Sequence, residues 1–341
     1  MASRLKALAG ELVESGAASA VAAVAGRGAE VVAEAAAGWR DAGSRLRRAD
    51  RFDLASLTKP WVATLALRLA EKGLLPLETK VGAVWAKAPA ALAGRSLEDL
   101  LRHRSGLRAW SPLFRQTVDP RRAVARILRS ESLGAPRPTY SDLGYILWAR
   151  TAERALGGAP GSLMERHVLR PLGLSTVELA PAADRAVAAR SLGNDREVEL
   201  AAALGVTVAL RPGPPPGVVQ DGNARHLGGL AGHAGLFAPA RAVWRLAAEW
   251  LRPRRVLTAR AVAHALAGRG PYRLGWWRPG AAPRATRGWS RAGYGHHGFT
   301  GGSVWIDPER ELVAVLLAQR TSVAADLDPW RRRFHELARS L

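Results

Sequence analysis

In the stretch FDLASLTKPW a serine and a lysine, Ser56 and Lys59, stand three residues apart. The chain holds 5 lysines against 45 arginines, so lysine is not its default cation. A serine hydroxyl becomes a useful nucleophile only when a nearby base takes its proton. Lysine can be that base if burial and a neighbouring cation depress its pKa toward 7, whereas arginine stays charged under the same pressure. The spacing alone is weak evidence, because Ser3 and Lys6 repeat it in what reads as a frayed amphipathic terminus. Context separates the two pairs. Ser56 follows strand-and-loop text and opens a helix, so its hydroxyl sits near free N–H groups that favour developing negative charge. On that helix Lys59 shares its face.

Two further clusters accompany the pair: Tyr140-Ser141-Asp142 and His296-His297-Gly298. With FDLASLTKP they stand, in order, in the places of the Ser-x-x-Lys, Tyr-x-Asn and Lys-Thr-Gly motifs of a known family. The chain resembles the penicillin-recognising serine hydrolases, closest to class C-type beta-lactamases and their esterase and D-alanyl-D-alanine peptidase relatives. The stretches LEDLLRHRSGL, TYSDLGYIL, RPLGL, DGNARHLGGLAGHAGLF and GHHGFTGGSVWIDP share the family's look, so the resemblance runs from about residue 15 to the C-terminus.

By this resemblance Ser56 is the nucleophile of an acyl-enzyme, Lys59 shares or relays its proton, and Tyr140 is a phenolic base or acid. The backbone N–H groups of Ser56 and Phe299 make the oxyanion hole. Asp142, His296, His297 and Gly298 meet the substrate, with His296 in the place of the motif's lysine. No cofactor and no metal is implied. Two departures count against beta-lactam turnover: Asp142 stands where asparagine is usual, and His297 replaces a small threonine. A substrate that carries a carboxylate expects donors and positive charge around it.

The elements that must hold these residues are legible from periodicity. Residues 2 to 14 have helical spacing, and the Val/Ala-rich runs ASAVAAVA and EVVAEAAAGW, joined by Gly26-Arg27-Gly28, read as a hairpin. WVATLALRLAEKG is a helix ending at Gly73, SLEDLL a short helix opened by Ser96 with Asp99 three residues on, and a further helix covers about 143 to 156. Asp142 reads as its N-cap as well as a site residue. From 180 to 227 the pattern fails, and RPGPPPG excludes regular structure, so a long loop over one face is expected. AVWRLAAEWL is a helix, GGSVWID and ELVAVLLAQ form a second hairpin across residues 307–310, and DPWRRRFHELARSL is a helix capped by Asp328. The expected fold is α/β (α+β): an antiparallel sheet built from both termini, flanked by terminal helices, in one beta-lactamase/transpeptidase-like catalytic domain spanning 1–341. The sheet lobe takes about 1–55 and 240–341, and a mainly helical inserted lobe about 56–239.

Composition removes competing classes. The 341 residues are 48% hydrophobic, enough for a sizeable core. Zero cysteines exclude disulfides and thiolate chemistry. No apolar run reaches the length of a membrane span, and Glu11 and Glu14 offset Arg4 and Lys6 ahead of the Ala/Val run, so an unexported, cytoplasmic protein is expected. The net charge of +21 is spread from Arg4 to Arg339, and no nucleic-acid-binding motif accompanies it, so no specific nucleic-acid partner is read from it. Adjacent histidines on a strand point to opposite faces, so His296 and His297 cannot chelate one ion. His233 reads as packed in a glycine-rich turn, and His103 as bonding backbone at a helix end.

The function expected is hydrolysis of small carboxylic esters or amides. Beta-lactam or D-alanyl-D-alanine peptide hydrolysis is the alternative, and a silent binding protein of the same fold is the rival from another class. The acyl group, the leaving group and the oligomeric state are left open.

Overall fold

The computed structural model describes residues 1–40, 43–116, 119–129, 133–134, 138–182, 192–282 and 284–341. Helix α1 (Ala2–Glu14) leads into strands β1 (Ala18–Arg27) and β2 (Glu30–Gly38), which pair antiparallel across a turn where Gly28 has φ +57°. Next come the short strand β3 (Phe52–Asp53) and helices α2 (Thr58–Glu71), α3 (Leu97–Leu101), α4 (Asp142–Leu156), α5 (Asp195–Ala202) and α6 (Gly222–His226). Strand β4 (Phe237–Ala238) precedes helix α7 (Ala240–Leu251). The chain closes with β5 (Tyr294–His297), β6 (Ser303–Asp307), β7 (Leu312–Arg320) and helix α8 (Asp328–Arg339).

The main sheet has the order β2-β1-β7-β6-β5, with antiparallel neighbours throughout. The N-terminal hairpin therefore lies against the last strand, as expected from strands at both ends of the sequence. Alternation divides the sheet between two cores. Ala20, Ala22 and Val24 of β1, with Val313, Val315 and Leu317 of β7, face the larger core beneath α2, α4 and α7. Val21, Ala23 and Ala25, with Ala314, Leu316 and Ala318, face the layer that α1 and α8 close through Leu5, Leu8, Leu12 and Phe334. Both faces are covered, which explains why β1 reads as an unbroken Ala/Val run. In the larger core Trp61, Trp148 and Trp250 are almost fully excluded from water. Each large apolar side chain so buried contributes on the order of 2 kcal/mol.

Several local expectations meet their geometry. Ser96 and Asp99 form a reciprocal capping box at α3, and Gly73 just beyond α2 is left-handed with φ +66°. Two caps differ. Ser141, not Asp142, caps α4, its hydroxyl accepting from Gly144 N at 3.2 Å, and Asp142 is the first helical residue. Asp328 likewise opens α8 from inside, bonding Arg331 at 2.9 Å rather than a free backbone N–H. The stretch expected to be one loop from 180 to 227 contains α5 and α6. Residues 183–191 of that expectation lie outside the described residues, while 211–217 are irregular as expected. No helix of the described residues is long and apolar enough to cross a membrane.

Candidate active site

Ser56 sits on a sharp turn between β3 and α2. It is the only residue from Arg51 to Leu67 that is not buried. Ala55 ahead of it has φ +44°, a conformation that costs a residue with a Cβ roughly 1–2 kcal/mol. Asp53 holds the turn: its two oxygens accept from Ala55 N at 2.8 Å and Gln220 N at 2.7 Å. Burial raises the Asp53 pKa to about 6 against these bonds. β3 is anchored by pairing of Phe52 with Ala238, and Thr300 donates to Asp53 O at 2.8 Å.

One helical turn on, Lys59 is fully buried and its Nζ donates to Ser56 Oγ at 2.9 Å. The same Nζ pairs with Asp142 at 2.7 Å and reaches His233 O at 3.4 Å. Burial lowers the Lys59 pKa, while Asp142 and, more weakly, Asp221 pull it back up. The ammonium also lies 4.7 Å from the Tyr140 ring centre. Burial, and next the Asp142 charge, hold the Tyr140 phenol well above its ordinary pKa, so it carries its proton at neutral pH. Its hydroxyl has no aligned hydrogen-bond partner among the described residues.

Ser56, Tyr140, Asp142 and Phe299 line one cavity of about 320 Å³. The Phe299 N–H finds no acceptor among the described residues. The other three residues of the third motif stand apart from that cavity. His296 is fully buried behind Tyr140, its ring 4.4 Å from Trp277 and 5.8 Å from Tyr140. Burial, then the Lys59 charge, lower its pKa far below 6.5, so it stays neutral even at pH 6. His297 points to the opposite face, where its Nε2 accepts from Trp305 Nε1 at 3.1 Å. Gly298 is a close-approach position: an added Cβ would lie 2.8 Å from Leu54 O, directly under the nucleophile turn.

A further wall of the cavity, around Asp221, was not read from the sequence. His233, expected to be a packed histidine, is buried but bonded through Nε2 to Asp221 at 2.9 Å. Burial pushes its pKa down, yet the Asp221 charge and hydrogen bond outweigh that and raise it. Asp221 stays ionised with a pKa of about 2 despite burial, through His233, the Ala224 N–H and Lys59. The glycines make this fold possible: Gly232 (φ +94°) and Gly235 (φ +119°) press to within 2.3 Å and 2.2 Å, measured from an added Cβ, of Tyr145 O and Gly229 O. Asp221 and Glu197 both line the cavity. Asp221 at the start of α6 had a visible cap signature in DGNA, but nothing local tied it to a histidine twelve residues later. His103 behaves as expected, its Nδ1 accepting from Ser141 N at 2.9 Å.

A strained serine turn, a buried lysine on its hydroxyl and a two-layered sheet of this order define a serine hydrolase scaffold. A beta-lactamase family model matches residues 5–338, and the chain belongs to that family of serine hydrolases. It is 27% identical over 311 residues to a putative D-alanyl-D-alanine carboxypeptidase of Escherichia coli (strain K12), covering 79% of this chain and 69% of that protein. Among solved structures, EstCE1, a hydrolase with promiscuous acyltransferase activity, superimposes with TM-score 0.77 at 18% identity over 97% of both chains. A penicillin-binding protein homologue from Caulobacter crescentus gives 0.71 at 19%, covering 98% of this chain and 96% of that one. These likenesses carry the fold.

Proposed function

We propose that the chain hydrolyses small carboxylic esters or amides through an acyl-enzyme on Ser56. The observation that carries this reading is the continuous contact from Ser56 Oγ to Lys59 Nζ to Asp142, opening on a cavity of substrate size. Lys59 takes the Ser56 proton as the hydroxyl attacks the carbonyl, and Asp142 stabilises the ammonium that forms. The Phe299 and Ser56 N–H groups receive the oxyanion. Tyr140, protonated, gives its proton to the leaving group and is reprotonated by the Lys59 ammonium, which carries the proton taken from Ser56. Water then cleaves the ester on Ser56 by the same route in reverse. His296 and Gly298 act from behind, packing Tyr140 and seating the serine turn, and His297 has no direct part. The whole chain, 1–341, works as one catalytic domain, the sheet lobe and the helical lobe meeting at Ser56.

A second reading, D-alanyl-D-alanine peptide or beta-lactam hydrolysis, is favoured by the name of the Escherichia coli relative. Against it stand Asp142 and the neutral His296, which offer no cation to a substrate carboxylate. A fluorophosphonate probe tests the acyl-enzyme directly. Covalent labelling of the wild type that is lost in Ser56→Ala is expected. Labelling that persists in the variant removes Ser56 as the nucleophile, and no labelling of a folded wild type leaves the silent scaffold.

A further inference from the structure

Resting on that reading of the cavity, we infer that the wall formed by Glu197, Gln220 and Asp221 takes a positively charged amine, so that the substrates are esters or amides bearing an ammonium group. This wall offers acceptors. Glu197 gives one oxygen to Gly222 N at 2.6 Å, and no bond to the other is found among the described residues. Asp221 spends Oδ1 on His233 and on Ala224 N at 2.7 Å and leaves Oδ2 open. Gln220 adds a separate signal. It lines the same cavity and is nine-tenths buried, and its Nε2 donates to Leu192 O at 2.7 Å and Gly193 O at 3.2 Å. Those two carbonyl partners fix the amide's orientation, and its Oε1 is left buried with no partner among the described residues. A buried acceptor with no donor is unfavourable, and a donating ligand relieves it.

The cations nearby are committed. Lys59 is held by Asp142, His233 by Asp221, and Arg196 on the rim pairs with Glu199 at 2.8 Å. Asn194 has both amide groups bonded, to Ala209 O and Arg211 N. Trp110, Tyr140 and Phe299 line the same cavity. Burial and the neighbouring Asp221 raise the Glu197 pKa to about 7, a penalty that a bound cation offsets. Glu197 is thus the specificity-determining residue, reaching the substrate's amine rather than its carbonyl.

The test uses the 4-nitroanilides of D- and L-alanine against their N-acetyl forms at pH 7.5, with calorimetric binding of alaninamide and N-acetylalaninamide to Ser56→Ala. A charge-assisted hydrogen bond predicts a preference of about 10- to 100-fold for the free amine, in kcat/KM and in affinity alike. The ratio falls toward one in Glu197→Gln, which keeps an acceptor for Gly222 N and whose melting temperature is checked alongside. Equal or better use of the N-acetyl compounds by the wild type, or a preference undiminished in Glu197→Gln, overturns the inference. If no anilide is turned over, the calorimetric arm decides it. Loss of fluorophosphonate labelling is a different failure, that of the acyl-enzyme.

Discussion

His233 and His335 are buried alike, at 1% and 0% exposure, in two different parts of the molecule. His335 lies on the buried face of α8 in the outer layer, where Nδ1 bonds Ala285 O at 2.8 Å and Nε2 meets Ser303 Oγ at 3.1 Å. Both partners suit a neutral ring, and burial drives its pKa to about 3. His233 lies in the crevice against a carboxylate, and its pKa rises. Burial removes water from both; the partner decides which protonation state replaces it. His335 thus stays a neutral ring in the outer layer. The crevice holds two ion pairs, Lys59 with Asp142 and His233 with Asp221, and leaves acceptors open. Structure is concentrated in one and chemistry in the other.

The largest effect that bears on this contrast comes from Lys59→Arg. It keeps the charge and removes the ability to accept a proton, so acylation on the best substrate falls by at least about 100-fold. A near wild-type single-turnover rate would make Lys59 a structural cation. Ser3→Ala, the same motif on the exposed face of α1, leaves the rate unchanged.

Next in size is the acid sensitivity of the outer layer. The unfolded chain protonates His335 below pH 6.5, while the folded chain refuses the proton until about 3. Stability therefore falls as pH drops through that window, by roughly 3 kcal/mol at pH 4. Urea unfolding from pH 7.5 to 4 should show a shallower slope in His335→Gln than in the wild type. Equal slopes place the sensitivity elsewhere. Asp221 acts lower, its stabilisation being present above pH 3.8 and lost as pH falls through about 2.

The subtlest effect is a shift rather than a loss. Asp142 raises the Lys59 pKa, so Asp142→Asn lowers it and the acid limb of kcat/KM moves to lower pH. An acid limb that stays in place while the basic limb moves to lower pH would mean that Lys59 works as a cation. The ratio of cephalosporin to aryl-ester turnover should not rise through His296 between pH 7.5 and 6, because that ring stays neutral. A rise abolished by His296→Gln would contradict this placement.

The nucleophile, its lysine and the sheet were legible in the sequence because each depends on short-range pattern. A serine and a lysine three apart at a helix start must share a face, and alternating Val/Ala runs at both ends must pair or leave their edges open. Asp142 was legible as a residue, while its neighbour Ser141 took the cap because it holds the extended position before the helix and Asp142 is already helical, leaving the carboxylate free for Lys59. The fates of the two strand histidines followed half from alternation. That they part to opposite faces was readable, but what each face holds was not, since Trp277 and Trp305 arrive from separate segments. The wall around Asp221 was decided by tertiary structure alone. Glu197, Gln220 and Asp221 come from text that reads as loop, and His233 from a glycine-rich turn. Only the packing of α5 and α6 against the serine turn turns them into one surface, because desolvation and charge pairing depend on what surrounds a side chain and not on its neighbours in sequence.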